Sequence, residues 1–214
     1  MNVSEIFVSI QGESTLQGLA CLFIRLAGCN LNCRYCDTVY ARKGGTEMTL
    51  SEIVKRVDDS GIKYICITGG EPLLQMKTPE LALKLLKRGY KVSIETNGTV
   101  DASNLHNDIL RVIDIKCPGS GEQGKTYAGN ITNMRPSDEF KFVITDYNDF
   151  TYARNFVKKH NLAGHGTVLF SPVYNVLEPK KLAEWIIKEM PEARLNLQLH
   201  KYIWHDRSEK EGGY

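Results

Sequence analysis

Short apolar segments alternate with helical patterns along most of this 214-residue chain, and this alternation constrains the fold more strongly than any other feature. Apolar runs of four to eight residues that are bounded by turn residues predict strands. The predicted strands span residues 6–10, 21–27, 64–68, 92–95, 112–115, 140–144, 168–171 and 195–199. Because strands that alternate with helices favour parallel pairing, we expect an α/β fold with a mostly parallel sheet.

Four helices are predicted between these strands. Three of them follow from apolar residues at helical spacing, and the other spans residues 79–88. The apolar residues are Leu50, Ile53, Val54 and Val57; Phe150, Ala153 and Val157; and Leu182, Ile186 and Met190. Thr49 or Ser51 is the candidate N-cap of the first helix, and Gly89 ends the second. A closed (β/α)8 barrel typically needs about 250 residues. We therefore expect an incomplete TIM-type barrel, formed by one domain over residues 1–204 and followed by a polar tail over residues 205–214.

The composition is that of an ordinary globular protein, with 42% apolar and 24% charged residues. The net charge of +2 is too small to indicate nucleic acid as the main partner. The N-terminal residues carry no basic segment followed by an apolar run, so no signal peptide is predicted. No apolar stretch is long enough to cross a bilayer. We expect a cytoplasmic protein without nucleic-acid or membrane partners.

Three of the six cysteines lie in one short segment, at Cys29, Cys33 and Cys36. Iron–sulfur clusters usually take four thiolates, so three thiolates leave one iron open for a substrate or cofactor. Structural zinc is the alternative, but it needs four nitrogen or sulfur ligands, and the chain has no second CxxC pair. Cys21 and Cys66 lie in apolar runs, where a free thiol behaves as a small buried hydrophobe.

A second motif, Gly69-Gly70-Glu71-Pro72, directly follows a predicted strand. A Gly-Gly pair at such a place is usually only a turn, but glycines also let backbone carbonyls approach a ligand closely. The cysteine segment followed by this motif resembles the radical S-adenosylmethionine (SAM) superfamily. In that superfamily the open iron of a [4Fe–4S] cluster chelates SAM, and an electron from the cluster cleaves SAM to a 5′-deoxyadenosyl radical.

Further segments resemble one family within that superfamily, the 7-carboxy-7-deazaguanine synthases. They are residues 9–13 (SIQGE), 23–29 (FIRLAGC), 36–38 (CDT), 95–98 (ETNG) and 199–202 (LHKY), in this order. The resemblance covers the chain from about residue 6 to about residue 204. The QGE, CDT and HKY elements are the discriminating ones, because the cysteines and the GGEP motif alone indicate only the superfamily.

The resemblance implies an activity, its cofactors and its partners. The family converts 6-carboxy-5,6,7,8-tetrahydropterin to 7-carboxy-7-deazaguanine and ammonia, on the way to queuosine and other 7-deazapurines. It uses a [4Fe–4S] cluster, SAM that is regenerated in each cycle, and Mg²⁺. The implied partners are a second copy of the chain in a homodimer and an external one-electron donor such as flavodoxin or ferredoxin.

Several residue types suit this chemistry. The amide of Gln11 matches the donors and acceptors along a pterin edge. Arg25 lies within an apolar strand, where a guanidinium is uncommon unless it is paired. It either holds a planar carboxylate through two hydrogen bonds or forms a structural ion pair. The hydroxyl of Thr38 is a hard oxygen donor of the kind that Mg²⁺ accepts.

The resemblance implies three sets of site residues. The substrate residues are Ile10, Gln11, Gly12, Glu13, Arg25, Glu95, Thr96, His200 and Tyr214, the last through a terminal carboxylate. The residues at SAM are Tyr35, Cys36, Asp37, Gly69, Gly70, Glu71, Gly98, Lys116, Ser120 and Ser171. The metal ligands are Cys29, Cys33 and Cys36 for the cluster and Thr38 for Mg²⁺.

Two other functions remain open at the level of sequence. A glycyl-radical-enzyme activating protein is also small and shares the cysteines and the GGEP motif, but it acts on a protein. The QGE, CDT and HKY elements favour the small-molecule enzyme. A zinc-stabilised binding module would carry out no catalysis, and its colourless metal would distinguish it from a brown iron–sulfur protein.

Overall fold

The computed structural model describes residues 1–204, and within them nine strands form a single sheet. Strands β1 to β9 are Asn2–Ile10, Ala20–Leu26, Thr46–Glu47, Tyr64–Gly69, Lys91–Thr96, Leu110–Asp114, Glu139–Ile144, Thr167–Pro172 and Arg194–Leu195. Helices α1 to α6 are Leu50–Ser60, Thr78–Lys87, Gly129–Thr132, Tyr147–His160, Pro179–Glu189 and Leu199–Ile203.

The strand order is β3-β1-β2-β4-β5-β6-β7-β8-β9. Every neighbouring pair from β2 to β9 is parallel, whereas β1 runs antiparallel to both β2 and β3. Over residues 1–204 the two edge strands, β3 and β9, do not pair with each other, so the sheet remains open. The predicted mostly parallel α/β sheet is confirmed.

The two faces of the strands differ in chemistry, because alternate side chains point to opposite sides of a sheet. In β2, Leu22, Ile24 and Leu26 pack into an apolar core with α1 and α2. The alternate side chains of the same strand, Phe23 and Arg25, line a cavity on the other face. A second apolar core joins β6, β7 and β8 to α4 and α5. The helices therefore cover one face, and a polar, concave face remains for a site.

Local sequence signals set the ends of the helices. The Thr49 hydroxyl accepts a hydrogen bond from the backbone N–H of Glu52 at 3.2 Å, and the Glu52 carboxylate accepts one from the Thr49 N–H at 2.7 Å. This reciprocal capping box begins α1 and confirms Thr49 as the N-cap. Gly61, with φ +67°, ends the same helix. Gly89, with φ +88°, follows the end of α2 as predicted.

The predicted closing strand over residues 195–199 is wrong. Strand β9 comprises only Arg194–Leu195, and Leu199–Ile203 forms the short helix α6. The chain leaves the sheet because its backbone finds partners in the N-terminal segment: the Leu199 N–H donates to the Gly12 carbonyl at 2.9 Å. His200 and Lys201 consequently lie on one helical turn and not on opposite sides of a strand. Within residues 1–204, no helix is long and apolar enough to cross a membrane.

Candidate active site

A cavity of about 560 Å³ opens at the carboxyl ends of the parallel strands, the end at which parallel α/β sheets bind ligands. Its walls are the concave face of the sheet, residues 27–38 (the cysteine loop), the segments after β4 and β5, and α6. The predicted site residues that line it are Ile10, Gln11, Glu13, Arg25, Cys29, Cys33, Tyr35, Cys36, Asp37, Thr38, Gly69, Gly70, Glu95, Thr96, Lys116 and His200.

The three clustered cysteines carry free, partly exposed thiols that line this cavity. Cys21 and Cys66 are instead buried together in a small core cluster between β2 and β4. Over the described chain, no group of three or more His, Cys, Asp or Glu side chains is arranged around a single metal ion. The thiolates of a four-iron cluster bind different iron atoms, so they do not need to converge on one point.

The environment of the thiols suits a negatively charged cluster. The Leu31 N–H lies 3.5 Å from the Cys29 sulfur, and the Asn97 side-chain amide lies 3.9 Å from it. Burial raises the pKa of the Cys33 thiol, and the ammonium of Lys116 opposes that rise. Hydrogen bonds to sulfur and nearby charge are the features by which proteins tune iron–sulfur clusters. The three thiols and the groups around them therefore fit a [4Fe–4S] cluster.

The cysteine loop is also anchored to the segment after β6. The Asn32 N–H donates to the Glu122 carboxylate at 2.7 Å, and the Arg34 N–H donates to the Ser120 carbonyl at 3.0 Å. These hydrogen bonds anchor the backbone of the loop, while the cysteine side chains line the cavity.

Gly69 and Gly70 bring the end of β4 against the cysteine loop. Gly69 has φ +152°, and a Cβ atom there would lie 2.2 Å from the Leu26 carbonyl oxygen. A Cβ atom at Gly70 would lie 2.3 Å from the Gly28 carbonyl oxygen and 2.6 Å from the Cys29 Cβ. Only glycine allows this close approach.

Glu71 is fully buried beside the cavity, and its carboxylate forms hydrogen bonds within the protein. Its carboxylate accepts hydrogen bonds from the Leu73 N–H at 2.9 Å, the Asn97 N–H at 2.6 Å and the Thr96 hydroxyl at 2.9 Å. Burial raises its pKa, and these hydrogen bonds oppose the rise. In this structure Glu71 ties the loop after β4 to the loop after β5.

Three other residues predicted at SAM also lie outside the cavity lining. The Gly98 carbonyl accepts hydrogen bonds from the Asn130 side chain and the Tyr127 N–H. The buried Ser120 hydroxyl donates to the Cys117 carbonyl at 2.6 Å. The buried Ser171 hydroxyl lies 3.4 Å from Asn196. Val173 and Tyr174, which follow Ser171, do line the cavity.

Polar groups from β4, β5 and the segment after β1 meet among the predicted substrate residues. The Gln11 amide donates to the Glu95 carboxylate at 3.2 Å, and the Thr68 hydroxyl donates to the other oxygen of that carboxylate at 3.4 Å. The Gln11 side-chain oxygen accepts from the Glu13 N–H at 3.0 Å. The amide and carboxylate present both donors and acceptors to the cavity.

Glu13 lies in the interior and is nearly fully buried. Its carboxylate oxygens contact the Lys141 ammonium at 2.5 Å and the Gln198 amide at 2.8 Å. Burial alone would raise the pKa of Glu13, but Lys141, His200 and Gln198 together outweigh burial, and the pKa falls to about 2. Lys141 is also 3.4 Å from Asp114, which is 2.9 Å from Lys116. Opposite charges thus alternate across the cavity floor.

Arg25 is fixed by three neighbours on the same wall. Its Nε donates to the Glu5 carboxylate at 2.7 Å, which also accepts from the Tyr40 hydroxyl at 2.7 Å. The guanidinium carbon lies 5.7 Å from the centre of the Phe7 ring. Within residues 1–204 the Glu5 pair leaves the two terminal nitrogens of the guanidinium for a second carboxylate.

Gly12 makes room for His200. A Cβ atom at Gly12 would lie 2.0 Å from the His200 Nδ1, and the Gly12 carbonyl accepts from the N–H of Leu199. Burial is the largest influence on the His200 imidazole and lowers its pKa. His200 therefore faces the cavity as a neutral side chain at pH 7.

Thr38 and Asp37 occupy the rim beside α6. The Thr38 hydroxyl lines the cavity 3.9 Å from the Cys36 sulfur. Asp37, which is partly exposed, pairs with Lys201 at 2.7 Å. Tyr214, the last predicted substrate residue, lies outside the described residues.

Sequence reasoning missed several charged or polar residues that line the cavity. They are Glu5, Tyr40, Asp114, Lys141 and Gln198. One signal was available for Lys141: in Glu139-Phe140-Lys141-Phe142 polar and apolar residues alternate, which places Lys141 on the face opposite the phenylalanines.

Comparison with known proteins agrees with this geometry. The family model of the radical SAM superfamily matches residues 23–114. The 7-carboxy-7-deazaguanine synthase of Chlorobaculum tepidum is 43% identical over 208 residues, which cover 96% of this chain and 94% of that protein. The one from Koribacter versatilis is 40% identical, over 95% of this chain and 97% of that protein.

Solved structures show the same fold. The crystal structure of QueE from Escherichia coli superimposes with a TM-score of 0.76 over 93% of this chain and 94% of that one, at 20% sequence identity. Because that identity is low, the superposition speaks for the fold alone, whereas the full-length relatives at 40–43% identity establish the family. The chain belongs to the 7-carboxy-7-deazaguanine synthase family of the radical SAM superfamily.

Proposed function

We propose that the protein converts 6-carboxy-5,6,7,8-tetrahydropterin to 7-carboxy-7-deazaguanine with release of ammonia, in queuosine and 7-deazapurine biosynthesis. One observation carries the proposal: a single cavity is lined both by the three thiols and by a polar cluster around Gln11, Glu13 and Arg25. The names of the full-length relatives support the same reaction.

Membership of the superfamily implies a [4Fe–4S] cluster and SAM. When bound, the cluster and SAM supply the 5′-deoxyadenosyl radical that starts the rearrangement. Cys29, Cys33 and Cys36 would hold the cluster. Gly69 and Gly70 would lie along SAM, where the absence of side chains lets their backbone approach it.

The remaining residues of the cavity would bind and orient the pterin. Arg25 has two terminal guanidinium nitrogens available, and these suit the carboxylate of the substrate. The ionised carboxylate of Glu13 accepts hydrogen bonds only, so it suits the N–H groups of the pterin. The neutral His200 imidazole contributes one donor and one acceptor beside Gly12.

Thr38 is the proposed protein ligand of Mg²⁺. Magnesium usually keeps several waters and takes one or two protein ligands together with oxygens of the substrate. A single hydroxyl at the rim of the cavity fits this mode of coordination. There the ion would polarise an oxygen of the substrate and help to orient it.

We further propose that residues 1–204 act as one domain of a homodimer, with residues 205–214 as an appended tail. An external one-electron donor such as flavodoxin or ferredoxin would reduce the cluster. A reducing, cytoplasmic location follows from the thiolate chemistry, because exposed thiols and an iron–sulfur cluster are sensitive to oxidation.

Anaerobic incubation of the reconstituted protein with SAM, a reductant, Mg²⁺ and the carboxy-tetrahydropterin tests the function. We expect 7-carboxy-7-deazaguanine and ammonia in equal amounts. The Cys29→Ala variant should form neither, and Thr38→Ala should show a weaker response to Mg²⁺ at unchanged iron content. A brown, SAM-cleaving protein that leaves the pterin unchanged would refute the proposed substrate. A colourless zinc protein would refute the whole proposal.

A further inference from the structure

Lys141 is a buried lysine at the centre of the cavity floor. It lies in the middle of β7 with only 7% of its surface exposed. Its ammonium is 2.5 Å from the Glu13 carboxylate and 3.4 Å from that of Asp114. The side chains on either side of it, Phe140 and Phe142, face the apolar core instead.

Stability does not explain a lysine at this position. Removing a lysine from water costs several kcal/mol, and well-packed apolar residues in place of a buried ion pair are often neutral or stabilising. An apolar side chain at this position of β7 would therefore stabilise the protein at least as well. The partner of Lys141 is Glu13, one of the residues proposed to bind the pterin, and this pairing points to the site.

We propose that Lys141 is a positioning residue, which keeps the Glu13 carboxylate ionised and aimed into the cavity so that it accepts hydrogen bonds from the pterin. This inference rests on the proposed function. Gln198 holds one oxygen of the carboxylate at 2.8 Å and Lys141 holds the other at 2.5 Å. Each oxygen retains a lone pair for the substrate.

The charges around Glu13 support this role. Burial is the largest influence on the pKa of Glu13 and would raise it; Lys141 is the strongest opposing group, and His200 on α6 opposes the rise as well when its imidazole is protonated. The carboxyl groups of Asp37, Asp114 and Glu95 face this pair from the cysteine loop, β6 and β5. Without Lys141, we expect burial to raise the pKa of Glu13 above its ordinary value.

The test is the pH dependence of the KM for the pterin in Lys141→Met. As the pH falls from about 8.5 to about 6, Glu13 should become protonated in the variant and stop accepting hydrogen bonds, since buried glutamates reach pKa values of about 8–9. We expect the ratio of variant to wild-type KM to increase about tenfold over this range. A ratio that is the same at both ends would overturn the inference.

Three further variants separate positioning from other roles. Lys141→Arg retains the positive charge and should retain the wild-type pH profile. The double variant Glu13→Gln with Lys141→Met has no carboxylate to protonate, so its KM should be high but should not change with pH. Lys91→Met, at the exposed start of β5, is the matched control for the loss of a lysine. A pH dependence that persists in the double variant would contradict the assignment to Glu13.

A measurement without substrate separates this inference from the proposed function. In Lys141→Met, the raised pKa of Glu13 gives stability below its unfolded pKa that is lost as the pH rises through the folded pKa. The Tm of Lys141→Met relative to the double variant should therefore fall between about pH 6 and about pH 8.5. An unchanged difference in Tm would refute the inference even if the wild type converts the pterin. Failure of every protein to convert the pterin would refute only the proposed function.

Discussion

Charged side chains in and beside the cavity already bond to neighbouring groups of the protein, and this determines what each can offer a ligand. Glu71 has its carboxylate fully occupied by backbone and hydroxyl donors. Arg25, by contrast, uses only its Nε for Glu5. A charge-assisted bond of this kind fixes the plane of the guanidinium before any substrate arrives. Arg25 is therefore preorganised for a carboxylate, and Glu71 for holding two loops together.

Replacing Arg25 by lysine should weaken binding of the pterin. Lysine keeps the charge but loses the planar fork and the bond from Nε to Glu5. A hydrogen bond to a charged group contributes about 1.5–3 kcal/mol, so we expect KM to rise roughly 10- to 100-fold. Product and 5′-deoxyadenosine should be measured together. The uncoupled cleavage of SAM should survive at unchanged iron content, and its loss would place Arg25 at SAM instead of at the substrate.

At the scale of elements, the close contact between the end of β4 and the cysteine loop links the two motifs of the superfamily. A Cβ atom at Gly70 would lie 2.6 Å from the Cys29 Cβ and 2.3 Å from the Gly28 carbonyl oxygen. Both neighbours belong to the cysteine loop, and backbone atoms cannot swing aside as a flexible side chain can. The conformation of the loop therefore depends on a residue outside it.

Gly70→Ala should lower the iron content of the reconstituted protein. The added methyl group pushes the loop that carries Cys29 out of position, so iron and brown colour should fall together. Gly89→Ala is the matched control: φ there is +88°, but no atom lies within 4 Å of the added Cβ. The control should lose about 1–2 kcal/mol of stability through backbone strain and keep its iron. Equal iron content in both variants would contradict the role of the contact.

The sequence predicts the elements that continuous apolar patterns specify, such as β4, α1 and α4. It fails at residues 195–199, where Leu195, Leu197 and Leu199 alternate like a strand. Hydrogen-bond partners distant in sequence determine the conformation of that segment: the Leu199 N–H donates to the Gly12 carbonyl, and the Leu197 carbonyl accepts from the Gln17 amide. No local pattern contains this information, so the helical position of His200 could not be predicted.

The residues of the site also fall into those that the sequence predicts and those that it does not. The cysteines, the glycine pair and Gln11 were recognisable from short motifs. Lys141 was hidden inside a predicted strand, because its importance comes from Glu13, 128 residues away in sequence. Ser171 lies near the carboxyl end of β8 and Ser120 follows β6, but their side chains turn into the protein and bond to Asn196 and Cys117. Position near the end of a strand does not determine the direction of a side chain.

At the scale of the molecule, the segment after β1 and the segment after β9 meet over the substrate half of the cavity, which is the part lined by Gln11 and Glu13. Gln17 bridges them, since its amide donates to the Gly12 carbonyl at 2.9 Å and to the Leu197 carbonyl at 2.7 Å. Beside this bridge Gln198 reaches Glu13 at 2.8 Å. The substrate half is thus closed by regions far apart in sequence, whereas residues 27–38 and 69–70 form the cluster half.

Gln17→Leu tests whether this closure serves the substrate alone. Leucine has a similar size but cannot donate, so the Leu197 carbonyl loses this donor, the Gly12 carbonyl keeps only the Leu199 N–H, and α6 is held less firmly over the cavity. At about 0.5–1.5 kcal/mol for each hydrogen bond, KM for the pterin should rise roughly 5- to 100-fold. Iron content and uncoupled SAM cleavage depend on the other half and should not change. If 5′-deoxyadenosine formation without substrate fell in step with product, the two halves would be mechanically coupled and the division drawn here would be incorrect.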